Sequence, residues 1–250
     1  MSDCKPSAIP MEPRLKLEKG RNLKESINKP YRELVGCLMY LMVTSRPDLS
    51  AAVTYFAGFQ CCPTNEHWMH SKRVLRYLKS TADYKLLYRR MNSTGKLEAF
   101  ADADWGNDPN DRRSVSGIVV QLHGSTVIWT TKKQGSVALS STEAELMKLC
   151  QASCDAVWVK NLLTSIGQDV VKPITIYEDN QSCIAITNDP RKHKRMKHIE
   201  IQQFFVRELV DNGQVQLEYL PTEVQVADIM TKGLPSPRFC KLQEKLGIIN

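Results

Sequence analysis

Residues 96–104 read KLEAFADAD, and the reading of the whole chain turns on them. The run from Lys96 to Ala101 has the make-up of a short strand. Successive side chains of a strand point to opposite faces, which sends Asp102 and Asp104 to the same side. Aspartate is depleted in strands, and two on one face repel each other unless positive charge lies near them. Two readings are open: a strand end passing into the polar turn WGNDPNDRR, or a pair of carboxylates with a cation to bind.

Downstream, SGIVVQL and STVIWTTKK add two strands, joined at His123-Gly124, so that residues 96–133 read as a three-stranded meander. The stretch SSTEAELMKLCQASCDAVWVKNLLTSIG is a long amphipathic helix. Ser140 and Glu143 have capping-box spacing at its start, and Gly167 is placed to end it. PITIY, residues 173–177, is a buried-type strand that runs into Glu178-Asp179-Asn180. A short helix QSCIAITN, a basic run from Arg191 to Lys197 and a helix from about Ile199 to Val210 follow. QVQLEYL is a last strand, and Val226 to Met230 begin a terminal helix. The order βββ-α-β-α-α-β-α predicts an α/β fold, a mixed sheet covered by helices.

Upstream of the polar turn at 91–95 the pattern is helical. Leu34, Leu38 and Leu41 recur at three- and four-residue spacing after Pro30, which suits a first helical position. Arg46-Pro47-Asp48 breaks this helix, and Asp48 is expected to cap the next one, through Phe56 and Phe59. A third helix, EHWMHSKRVLRYLKS, opens after Pro63-Thr64-Asn65 and places Lys72, Arg76 and Lys79 on one face. That face is either a wet cationic side or a surface for a phosphate backbone. Residues 1–29, with three prolines and little periodicity, read as an extended arm or linker.

Bulk numbers fit a globular chain of one large or two modest domains: 250 residues, 42% hydrophobic and 24% charged. The net charge of +7 is uneven. Residues 1–95 hold 16 Lys and Arg against 8 Asp and Glu, and residues 96–250 hold 18 against 19. A basic first part suggests a polyanionic partner. The eight cysteines form no CxxC pair, and Cys150 and Cys154 read as small helix-core residues, which suits a reducing compartment. The N-terminus lacks a signal-peptide pattern, and the longest apolar run, Leu34 to Val43, is too short to span a bilayer, so no membrane partner is expected.

Four acids stand at strategic ends of elements: Asp102 on the first strand, Glu145 in the first turn of the long helix, Asp179 at the end of ITIYED, and Asp228 at the opening of the terminal helix. Singly, each has a plain explanation, because acids favour helix N-termini for capping and dipole reasons. Together they have the make-up of a two-metal phosphoryl-transfer site, whose ions lie roughly 4 Å apart. Hard oxygen donors suit Mg²⁺ or Mn²⁺, and no pattern suggests zinc.

FADADW, ALSSTEAELMKL, ITIYEDNQSCIAI, RMKHIEI and YLPTEVQVADIMTKGLP resemble, in order, the ribonuclease H domain that ends the Pol polyproteins of copia-type LTR retrotransposons. PYRELVGCLMYLMVTSRPDLSAAVTYFAGF and EHWMHSKRVLRYLKST resemble the stretch after the polymerase palm in the same polyproteins. The likeness runs from about Ile9 to Gly247. It implies a ribonuclease H-like fold over 96–250, preceded by a helical thumb- or connection-like region over 30–90. It also implies metal-dependent hydrolysis of the RNA strand of RNA–DNA hybrids during retrotransposon reverse transcription.

On the family pattern the metal ligands map to Asp102, Glu145, Asp179 and Asp228. Glu145, which precedes Leu146, is the helix ligand, whereas Glu143 is a cap. One ion would be held by Asp102 and Asp179, the other by Asp102, Glu145 and Asp228. Asp104 is expected to serve the turn rather than the metal. The loop Pro221–Gln225 carries no histidine where cellular ribonucleases H place a mobile one, and His198 is a possible substitute with an equally good packing role. Arg191, Lys192, Lys194, Arg195 and Lys197, with Lys72, Arg76 and Lys79, are the expected phosphate contacts.

The partners implied are an RNA–DNA hybrid and the upstream reverse-transcriptase segments of a polyprotein. The location implied is intracellular, in a cytoplasmic virus-like particle or the nucleus. Polymerase activity is not expected, since no YxDD-type motif is present. The rival readings are a non-catalytic nucleic-acid-binding remnant and a connection-type structural module.

Overall fold

The structure is a computed structural model that describes residues 3–20, 26–89, 96–188 and 200–250. The chain forms two compact units. The first takes residues 1–87, 108–112 and 229–250, and the second takes 88–107 and 113–228.

The helical unit contains α1 (Tyr31–Thr44), a 3₁₀ turn (Pro47–Leu49), α2 (Ser50–Ala57) and α3 (Asn65–Ser80). Pro30 stands one residue before α1, at its N-cap, rather than inside it. Thr64 caps α3 by accepting the N–H of His67, whose ring nitrogen receives the N–H of Thr64 in return. That reciprocal arrangement satisfies two donors that the helix start would otherwise leave exposed. The expected cap role of Asp48 is not found. α2 starts at Ser50 with no side-chain cap, and Asp48 is buried instead among Arg46, Tyr77 and Gln243.

Strand β1 (Lys85–Leu86) completes this unit by pairing antiparallel with the last strand of the chain, Ile248–Ile249. Residues 229–250, expected to belong with 96–228, therefore group with residues 1–87. Their amphipathic helix, Ser236–Lys245, buries Phe239, Leu242 and Gln243, and Phe239 meets Tyr77 edge to face at 5.6 Å between ring centres.

The second unit is built on β2 (Leu97–Asp104), β3 (Val115–Leu122) and β4 (Ser125–Lys133), followed by α4 (Ser141–Ser165) and β5 (Ile174–Glu178). α5 (Gln181–Asn188), α6 (Glu200–Asp211) and β6 (Val215–Tyr219) come next, and the last residue of this unit, Asp228, opens α7 (Asp228–Thr231). The sheet order is β4-β3-β2-β5-β6, with the meander antiparallel and β2, β5 and β6 parallel to one another. This is the mixed, helix-flanked sheet expected from the order of the elements.

The hairpin turn needs left-handed backbone at two positions, which His123 (φ 52°) and Gly124 (φ 73°) supply. At the far end of α4, Gly167 (φ 77°) donates to Thr164, and Gln168 donates back to Leu163, the paired bonds of a glycine C-cap. The core packs Leu97, Ala99 and Ala101 of β2, with Ile118 and Val120 of β3, against Leu149, Ala152 and Ala156 of α4. The terminal helix is shorter than expected: α7 spans only Asp228–Thr231 and stops ahead of Gly233-Leu234-Pro235. The numbering of the elements closes with α8 (Ser236–Lys245) and β7 (Ile248–Ile249). Among the described residues, no helix is long and apolar enough to cross a membrane.

Candidate metal centre

Asp102 enters the site from β2, where it is buried opposite Gly117 of β3, a cross-strand neighbour without a side chain. Glu145 is the fifth residue of α4, one turn in from the cap that Ser140 provides by accepting the N–H of Glu143 at 3.2 Å. Glu143 turns the other way and accepts the N–H of Leu139 at 2.7 Å, the cap role expected of it, on the residue before the N-cap. Gln134 fixes this helix start to the sheet by donating to the Ala144 carbonyl and to Ser116 Oγ, both at 2.9 Å.

Asp179 follows β5 directly, and Asn180 then caps α5 by accepting the N–H of Cys183 at 3.0 Å. A strand end and a helix cap on either side leave Asp179 little backbone freedom. Asp102, Glu145 and Asp179 each bring a carboxylate oxygen to within 4.8 Å of the other two.

Three carboxylates at that spacing repel, and the site answers in part with its own cation. Lys148, one turn along α4, is fully buried and donates to Glu145 Oε2 at 2.5 Å and to Glu178 Oε2 at 2.8 Å. Burial disfavours its charge, but Glu145, Glu178 and Asp102 together outweigh that and hold the ammonium protonated above its ordinary range. The Glu145 carboxyl is pushed well above the usual carboxylate range, first by burial and then by Glu178 and Asp102, with Lys148 working against them. Cys183, buried in the same field, has its thiol pushed well up, by burial foremost and by Glu178 next, so it offers no thiolate. The three donors are hard carboxylate oxygens, a set that could hold a divalent cation.

The remaining expected residues fall in several places. Asp228 is fully buried as the first residue of α7, but among the described residues it does not join the three-carboxylate group. The loop before it is fastened to β5 at two points. Thr222 Oγ1 donates to Asp179 Oδ2 at 2.7 Å, and buried Gln225 donates to the Tyr177 carbonyl at 3.2 Å. Asp104 accepts from Asn107 Nδ2 at 2.7 Å across the turn that follows β2.

In the helical unit, Arg76 and Lys79 donate to the carbonyls of Lys5 and Cys4, and Lys72 lies over the Trp68 ring. The N-terminal arm thus occupies hydrogen-bonding groups of the cationic face of α3. Arg191, Lys192, Lys194, Arg195, Lys197 and His198 lie outside the described residues.

The sequence reading missed Lys148, Glu178 and Thr222. The signal for the first two was present: Lys148 lies on the helix stripe that continues through Ala152, Ala156 and Val159, and Glu178 continues the alternation of Ile174 and Ile176. A charge on each of two buried faces, opposite in sign, predicts a pair.

No family model matches the chain. It is 39% identical over 251 residues to the retrovirus-related Pol polyprotein from transposon RE2 of Arabidopsis thaliana, matching 100% of this chain and 17% of that protein. It is 34% identical over 254 residues to the Pol polyprotein from transposon TNT 1-94 of Nicotiana tabacum, matching 99% of this chain and 19% of that one. The chain thus spans less than a fifth of the length of these relatives. Among solved structures, the N-terminal RNase H domain of a Mycobacterium tuberculosis protein, determined as a fusion with maltose binding protein, aligns at 15% identity and a TM-score of 0.43. That alignment covers 60% of this chain and 98% of that one.

Proposed function

The chain belongs to the retrovirus-related Pol polyproteins of copia-type transposons, and from that premise we propose that it hydrolyses the RNA strand of RNA–DNA hybrids with divalent metal ions. The observation that carries the proposal is the meeting of Asp102, Glu145 and Asp179, drawn from β2, α4 and the end of β5. Acids that serve only as caps or turn residues have no reason to bring three oxygens within 4.8 Å of one another when two of the acids are buried and the third half-buried.

Asp102, Glu145 and Asp179 hold the metal in this reading, and Asp228 is proposed as a further ligand from the loop that follows Thr222. Two divalent ions supply, when bound, an activated water and a Lewis acid for the leaving 3′-oxygen. Thr222 holds one Asp179 oxygen and so restrains the carboxylate that would ligate a metal. Buried carboxylates set in fixed elements need little reorganisation when charge develops at the scissile phosphate, which is the main source of rate in such sites.

Lys72, Arg76 and Lys79, with the basic residues 191, 192, 194, 195 and 197, are proposed to meet phosphates, and His198 to assist proton transfer or product release. Contacts of that kind follow backbone geometry and 2′-hydroxyls rather than sequence. The proposed setting is an intracellular retrotransposition complex with the upstream polymerase.

The test is cleavage of an end-labelled RNA–DNA hybrid in Mg²⁺ or Mn²⁺ by the purified chain and by Asp179→Asn. Metal-dependent cutting that disappears in the variant supports the proposal. A folded wild type that binds the hybrid without cutting it overturns the enzyme and leaves a binding module. Equal cutting by both proteins rejects the assignment of the acids.

A further inference from the structure

The metal-binding reading leaves one feature without a role, a buried cation fixed among the very acids that are to hold metal. Lys148 Nζ bridges Glu145 Oε2 at 2.5 Å and Glu178 Oε2 at 2.8 Å. Glu178 is fully buried, and its other oxygen accepts the backbone N–H of Asn180 at 3.0 Å. The connection therefore runs from Glu145 through Lys148 and Glu178 to the turn that carries Asp179. It joins α4 to the end of β5 by side chains alone.

Stability is a poor explanation for this bridge. Desolvating two charges cancels much of their attraction, and buried ion pairs replaced by apolar residues of similar volume are often neutral or better. Charge balance is equally telling. A lysine alone would weaken the field that attracts a metal, whereas Lys148 with Glu178 adds no net charge and leaves the Asp102, Glu145 and Asp179 set intact. What the pair does supply is direction. It ties Oε2 of Glu145 to Lys148 and so restricts how the carboxylate can turn.

We propose that Lys148 and Glu178 are positioning residues that clamp Glu145 from behind and fix its distance from the Asp179 turn, so that a divalent ion meets a preset ligand. The inference rests on the metal-dependent reading above. Partners behind a metal ligand of this kind typically change affinity or rate by 10–100-fold when removed.

The test is Mn²⁺ titration by calorimetry on the full chain, comparing wild type with the charge-neutral double variant Lys148→Met/Glu178→Gln. The glutamine keeps an oxygen for the Asn180 N–H, and the methionine fills the lysine's volume. The expected result is a Mn²⁺ dissociation constant raised by about 10-fold or more, with the thermal melt of the metal-free protein little changed. The single variant Glu178→Gln keeps Lys148 paired with Glu145 and serves if the double variant does not fold. It should weaken Mn²⁺ further, because it adds an uncompensated positive charge to the loss of the clamp.

Unchanged or tighter binding in either folded variant overturns the clamp, and tighter binding would make Lys148 a competitor of the metal. A wild type that takes up no Mn²⁺ overturns both this inference and the metal-dependent reading. A wild type that binds Mn²⁺ and cleaves hybrid, beside a variant of equal affinity, overturns the clamp alone.

Discussion

Both units bury charge, and they do so to opposite ends. In the helical unit Arg46 sends Nε and Nη2 to the two oxygens of Asp48 at 3.0 and 2.8 Å, and Nη1 and Nη2 to the carbonyl and hydroxyl of Thr81. The Tyr77 hydroxyl and the Gln243 amide complete the shell of Asp48. One cation meets one anion, and neutral donors use the lone pairs that remain. In the sheet unit a single ammonium faces Glu145 and Glu178, while Asp102 and Asp179 stand close by. The first network closes on itself and holds α3 and α8 to the turn before α2. The second gathers four acids around that ammonium, three of them with oxygens within 4.8 Å of one another. Burial alone does not separate the two networks; the ratio of acids to cations among the described residues does.

The largest effect is expected at the acids themselves. Asp102→Asn should lower hybrid cleavage by about a thousandfold with a far smaller change in the stability of the metal-free protein. Cleavage assays paired with thermal melts, with and without Mn²⁺, check both halves. A large loss of stability would mean that Asp102 is structural.

The reverse is expected for Asp48→Asn, which strands Arg46 in a buried site. Urea denaturation should report a loss of about 3–5 kcal/mol. A loss below about 1 kcal/mol would be the value of a surface pair and would contradict a closed network.

A pH series sharpens the same contrast. The phenols of Tyr31 and Tyr77 are raised above the ordinary range, both chiefly by burial, Tyr31 next by Tyr55 and Tyr77 next by Asp48. The folded state then keeps protons that the unfolded state gives up above about pH 10. Their contribution is whole below that pH and is lost as pH rises further, by up to about 1.4 kcal/mol per pH unit for each group. Denaturant melts from pH 9 to 11 should show Tyr77→Phe falling less steeply than wild type.

The smallest effect is expected at Thr222→Val, which removes the hydroxyl that holds Asp179 Oδ2. A net loss of about 1 kcal/mol would reduce cleavage several-fold and lower the melt by only about 2–4 °C. An unchanged rate would show that the strand end and the α5 cap position Asp179 unaided.

What was legible in the sequence was local. The strand-like make-up of KLEAFADAD, the Ser140–Glu143 spacing and Gly167 each act within one element, and each is found in the element it predicts. Asp102, Glu145 and Asp179 were legible because each marks an element's end and because the motifs arrive in a known order. Asp48 misled, since a cap is judged from near neighbours, whereas its partners Tyr77 and Gln243 lie 29 and 195 residues along the chain. Lys148 and Glu178 escaped for a related reason. Each is an ordinary charge within its own segment, and only the packing of α4 on β5 makes them a pair. The placement of residues 229–250 with the helical unit was hidden because sequence order, not contact, suggested the boundary.

The pairing of β7 with β1 has a consequence for synthesis. A ribosome releases the first 87 residues of the helical unit and must then translate the whole of the sheet unit before α8 and β7 follow. Until residue 243 has left the exit tunnel, Asp48 and Tyr77 lack the glutamine that joins them in the finished protein. The sheet unit, whose strands all come from residues 97–219, has every strand in hand first. In the nascent chain, the unit that starts earliest is the one that finishes last.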